Sequence, residues 1–173
     1  SCSNHERRFA HLSRLLARGL GLSAQDCQTL FSISPLHDIG LAMLPSAPLH
    51  PDRPLDDAGQ ASWRSHPCQG ADWLSRSAPP VLQAAATVAL QHLEHYDGNG
   101  HPLGLHGSEI HLHARVVALA HAFDTLMHQG PQQPALPLPE VIATLKAGRG
   151  HRFDPQLVDL LLERLDEALA ILH

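Results

Sequence analysis

The chain has little of what most readily marks a function. Aromatic residues make up only 4% of its 173 residues, so Leu, Ala and Val must fill any interior. Its three cysteines, Cys2, Cys27 and Cys68, are an odd number without a CxxC pair. That excludes a disulfide-stapled secreted domain and predicts a reduced protein of the cytoplasm. No stretch approaches the roughly 20 apolar residues that span a bilayer, and no signal peptide is visible, so no membrane segment is expected within the chain. Positive charge is scarce too. Twelve Lys and Arg against 17 Asp and Glu give a formal charge of −5, which leaves no footprint for a nucleic-acid polymer. A small anionic ligand stays open, because a bound cation escapes any count of residues.

The rest of the composition, 43% hydrophobic and 17% charged, is that of an ordinary globular protein. Helical periodicity dominates and no strand pattern stands out. Phe9, Leu12, Leu15, Leu16 and Leu20 recur at helical spacing, and Gly21 ends them. Ser23 is placed to cap a second helix that runs through Cys27, Leu30, Phe31 and Ile33 towards His37 and Asp38, kinked or restarted at Pro35. Four prolines from Pro45 to Pro54 predict an extended loop. Leu55-Asp56-Asp57 opens a helix carrying Trp63 and His66, with Pro67 in the first turn of the next. Further helices are expected over Val81–His95, Ile110–Met127, Val141–Ala147 and Pro155–Leu172, the last with a stripe of Leu157, Leu161, Leu165 and Leu169. Breaks fall at Ser77–Pro80 and in a proline-rich loop over Gly130–Pro139. The expectation is an all-α protein, a single domain over residues 1–173 excised from a longer signalling polypeptide.

Histidine is the one residue in excess, 15 in all, and it is the commonest metal ligand. His11, His50, His106, His111, His113, His128 and His173 are assigned to the surface. The others are spaced for chemistry. Adjacent side chains on a regular helix diverge by about 100°, so His37 and Asp38 meet on one ion only at a distorted turn, for which Pro35 supplies a cause. His5, His66, His92 and His121 each lie about a helix and a loop from the next, the spacing at which antiparallel helices return side chains to one level of a bundle.

The ordered motifs complete a pattern: His5-x-x-Arg8-Phe9; Leu36-His37-Asp38-Ile39-Gly40; His66-Pro67-x-x-Gly70; His92-x-Glu94-x-x-Asp97-Gly98-x-Gly100-x-Pro102; Ala114-Arg115-Val116-Val117; Phe123-Asp124-x-Leu126; and Phe153-Asp154-Pro155. Across nearly its whole length the chain resembles the HD-GYP family of bacterial signalling domains, within the HD metal-hydrolase superfamily. The resemblance implies an HD-domain-like helical bundle with a metal site between helices. It further implies one or two divalent ions, iron or manganese, and two-metal hydrolysis of cyclic di-GMP. His5, His37, Asp38 and His121 would hold one ion and Asp38, His66 and His92 the other, with the bridging Asp38 as the catalytic carboxylate. The loop of Asp97, Gly98, Gly100, His101 and Pro102 would meet the cyclic dinucleotide or a partner, diguanylate-cyclase (GGDEF) domains being the partner implied. Cys68 reads as buried filling.

The chain departs from the family pattern at Leu41, where a lysine would touch the substrate phosphate, and at Leu93, where a second histidine would serve a third metal. His121 stands for an aspartate, His101 for the tyrosine of the family name, and His95 for a basic residue. These departures predict weakened phosphodiesterase activity. The alternative they leave is a catalytically inactive module that binds nucleotide or partner proteins.

Overall fold

In the computed structural model, which describes residues 2–44, 55–128 and 134–173, the first helix follows from its apolar spacing. Phe9, Leu12, Leu16 and Ala17 are buried along one face of α1 (Cys2–Gly19), the stripe of an amphipathic helix. Gly21, at φ +75°, turns the chain out of it. The Leu22 N–H donates to the Ala17 carbonyl at 3.1 Å and the Gly21 N–H to that of Arg18 at 3.0 Å, the bonds that close a helix on a left-handed residue. Ser23 caps α2 (Ala24–Ile33), its hydroxyl accepting from the Asp26 N–H at 3.0 Å. At Pro35 the α-helix gives way to a 3-10 segment, Ser34–Leu36, and a second one covers Ile39–Met43. His37 and Asp38 occupy the joint between them.

Several boundaries differ from expectation. The helix carrying Trp63 and His66 does not divide at Pro67; α3 runs unbroken over Asp57–Ser75, capped by Asp56. A buried proline inside a helix deprives one carbonyl of its donor, and here that carbonyl finds another partner, described below. The next helix, α4 (Pro80–Gln91), stops four residues short of His95. Beyond it Glu94 turns its buried carboxylate back to accept the Leu103 and Leu105 N–H groups at 2.6 and 3.0 Å, drawing the backbone into a loop. Next, α5 spans Leu112–Met127, and α6 (Leu138–Gly148) begins inside the expected proline-rich loop with Pro139 in its first turn, where a missing N–H costs nothing. The last helix is two, α7 (Pro155–Glu163) and α8 (Leu165–Leu172), separated by Arg164 at φ −103°, ψ 20°. Its stripe holds, with Leu157 and Leu161 buried and Leu165 and Leu169 packed half-buried against the core. The proline-rich stretch Pro45–Pro54 with His50, and residues 129–133, lie outside the described residues.

No strand forms among the described residues, only isolated bridges at Asp97–His106 and Arg149–Phe153. The fold is therefore all-α. Against α1 pack α2, α5 and α8, while α3 packs on α4 and on the 3-10 segment Ile39–Met43. Phe9, Leu30, Val88, Leu119, Phe123 and Leu145 fill the interior. No described helix is long and apolar enough to cross a membrane.

Candidate metal centre

His37, His66 and His92 share one local device. Each is buried, and each places Nδ1 on the carbonyl three residues earlier: Ser34 at 2.8 Å, Trp63 at 2.6 Å and Ala89 at 2.9 Å. A carbonyl only accepts, so Nδ1 carries the proton and Nε2 keeps its lone pair. The supply of spare carbonyls follows from the helix irregularities. Pro67 cannot donate to Trp63, the carbonyl four residues back, and Ala89 lies in the last turn of α4, where carbonyls lack onward partners. Ser34 opens the 3-10 segment created at Pro35.

The three Nε2 atoms converge on Asp38. His66 and His92 approach Oδ1 at 3.3 and 3.1 Å, and His37 approaches Oδ2 at 3.1 Å. His121 joins on the second side, its Nδ1 2.9 Å from the His37 Nε2. Among the described residues, the donor atoms of His37, Asp38 and His92 all lie close enough to hold one ion. Three lone pairs directed at a carboxylate repel it unless a cation lies among them. Burial pushes His92 down and His121 down to about 3, so protons are a poor choice for that cation. The buried His66 Nε2 has no hydrogen-bond partner. The residues thus fit a divalent metal, with imidazole and carboxylate donors suited to a mid-row ion.

His5 stands apart from this cluster. Its ring centroid is 5.9 Å from that of His121, and its Nδ1 is bound to Asp124. Asp124 is fully buried and also accepts from the Arg8 Nε at 3.0 Å. Burial opposes its charge, yet His5 and Arg8 keep its carboxyl below the usual range. A carboxylate on the remote nitrogen of a ligand-type imidazole fixes the ring and its tautomer. Asp124 was not among the expected site residues. Its signal was its position three residues past His121, one turn along the same helix face.

Other expectations need correction. Cys68 is exposed, not buried filling, because it lies two residues past His66 and so on another face of α3. Of the supposed surface histidines, His106, His111 and His173 are exposed, whereas His11, His113 and His128 are half-buried. His11 packs on Phe31, and His128 donates to the Asp124 carbonyl. Within the glycine-rich loop, Asp97, Gly98, Gly100, His101 and Pro102 are half-buried, and the exposed points are Asn99, Leu103 and Gly104. The two Glu94 hydrogen bonds, with Asp97 N–H donating to the His151 carbonyl at 2.9 Å, draw the loop inward. The loop reaches the histidine cluster through Trp63, whose ring is 6.1 Å from His101 and 5.1 Å from His66.

With this geometry in view, comparisons with known proteins are specific. A family model described as an HD domain matches residues 1–157. The chain is 39% identical over 155 residues to the "Cyclic di-GMP phosphodiesterase response regulator RpfG" of Xanthomonas campestris, covering 90% of this chain and 41% of that protein. It is 34% identical over 167 residues to the "3'3'-cGAMP-specific phosphodiesterase 2" of Vibrio cholerae, covering 96% of this chain and 32% of the relative. The chain therefore spans less than half the length of these curated relatives. Among solved structures, a Bdellovibrio bacteriovorus protein titled as an HDG"Y"P protein superposes with a TM-score of 0.74 at 25% identity, over 96% of this chain and 53% of that one.

Proposed function

Because the chain belongs to the HD-domain family, as one of its HD-GYP members, we propose that it is a metal-dependent phosphodiesterase acting on a cyclic dinucleotide, cyclic di-GMP first among them. One observation carries the proposal: a single carboxylate, Asp38, faced from two sides by the Nε2 atoms of three buried histidines. In this reading His5, His37, Asp38 and His121 hold one ion, and Asp38, His66 and His92 hold a second. Iron or manganese, in one or two sites, would supply positive charge for the phosphoryl oxygens and acidify a water nucleophile. The chain's own part is to hold these donors in place. Asp38 spans the two sites, the i−3 carbonyls fix the three imidazoles, and Asp124 fixes His5. With Cys27 and Cys68 free, we place this work in the reducing cytoplasm.

Leu41 follows Asp38 by three residues, its N–H on the Asp38 carbonyl at 2.9 Å. It offers no cation to the substrate phosphate, so we expect slow turnover. Leu41→Lys should raise kcat/KM about tenfold or more, the worth of one charge-assisted contact. An unchanged kcat/KM would show that Leu41 does not limit the reaction.

The test of the activity itself is a metal analysis of fresh protein followed by incubation with cyclic di-GMP. Co-purifying iron or manganese, with turnover abolished by chelation and restored by the metal, is the expected result. Protein that keeps its metal, binds the nucleotide and releases no product would instead be a non-hydrolysing module. That alternative draws on Leu41, Leu93 and His121, and its contact with a GGDEF partner would centre on the exposed Leu103 of the glycine-rich loop.

A further inference from the structure

The metal cluster accounts for the phosphate end of a nucleotide and leaves its base without a seat. The chain has two Trp, one Tyr and four Phe, all among the described residues. Phe9, Phe123 and Phe153 are buried, while Phe31 and Tyr96 pack against His11 and His106. Trp73 is exposed but lies ten residues along α3 from Trp63, about 15 Å further on. Trp63 alone combines exposure with contact to the centre. It keeps 39% of its surface exposed, and its ring stands between His66 and His101, tilted 65° and 60° to theirs. Its backbone is fixed as well, since its carbonyl holds the His66 Nδ1.

We infer that Trp63 is the stacking platform for a purine base of the substrate, and so a specificity-determining residue beside the metal centre; this rests on the hydrolase reading above. His66 lies one ring away from the indole, and its Nε2 reaches Asp38 at 3.3 Å. A phosphate on an ion held by Asp38 and His66 would therefore bring its own nucleoside alongside the indole. An indole face attracts any planar base without demanding a hydrogen-bond pattern. The site gains base affinity here where it lacks a lysine at Leu41.

The test uses Trp73→Phe protein, in which Trp63 is the sole indole. Its fluorescence should be quenched on titration with GMP and unchanged with ribose 5-phosphate, which carries the phosphate without the base. In otherwise native protein Trp63→Ala should raise KM for cyclic di-GMP about 5- to 150-fold, the worth of one base stack. Its kcat and metal content should stay near wild type, and Trp63→Phe should restore most of the affinity. Equal responses to GMP and ribose 5-phosphate overturn the inference. So does a Trp63→Ala variant whose KM is unchanged or whose metal content falls with its activity, because a prop for His66 would behave that way. A base-dependent quench in protein that turns over no cyclic dinucleotide would uphold the stack and remove the hydrolase reading instead.

Discussion

Asp38→Asn should abolish turnover of cyclic di-GMP, by about a thousandfold or more, while leaving the metal-free protein at least as stable as wild type. The two halves have one cause. Among the described residues Asp38 is the only carboxylate in the cluster with His37 and His92, so an amide there cannot neutralise divalent charge, and several kcal/mol of transition-state stabilisation goes with it. Without metal the position reverses, because a carboxylate facing three Nε2 lone pairs is repelled whereas an amide N–H can donate to one of them. Added manganese should accordingly raise the melting temperature of wild type, by about 2.7 kcal/mol of stabilisation at a hundred times Kd, and leave that of Asp38→Asn in place. A variant that still binds manganese and still shifts its melting temperature would remove Asp38 from the centre.

The second large effect is expected at Gly40. A Cβ on this residue would sit 1.9 Å from the His66 carbonyl oxygen and 2.9 Å from the Gly70 nitrogen. Both obstacles are backbone of α3, which has no side chain to swing away, so Gly40→Ala must push the 3-10 segment off the helix. Overpacking of this kind costs about 3 kcal/mol or more, and each kcal/mol lowers the melting temperature of a protein this size by about 2–4 °C. The same displacement separates Asp38 from His66, since Gly40 rides with the first and touches the second. Metal content and stability should therefore fall together, read by metal analysis and thermal denaturation. Retention of both would mean that the two backbones are not in contact.

That coupling shows what the sequence could reveal and what it could not. The apolar stripes of α1 and α5 were legible because burial on one helix face leaves a periodic record, and Ser23 and Gly21 were legible because caps are written in single residues. Pro35 foretold the distorted turn that lets His37 and Asp38 converge. Pro67 misled, because whether a proline ends a helix depends on what becomes of the orphaned carbonyl, and the partner of Trp63 is visible only in three dimensions. The end of α4 was hidden likewise, as it depends on Glu94 reaching residues nine and eleven positions later. Cys68 was misplaced because a small apolar side chain beside a buried histidine says nothing about which helix face it shares. Asp124 had its place in a motif but no visible task until His5 was found against it.

The hydrogen bonds from His37, His66 and His92 to the carbonyls three residues behind them also set where an entropic cost falls. A free imidazole turns about two side-chain bonds, and arresting three such rings as a metal binds would take free energy from its affinity. Here the rotation is arrested when the helices form, so the loss is charged to folding and the ion meets donors already in place. The metal-free protein is then the less relaxed of the two states, and loading the ion releases a tension that the fold built in beforehand.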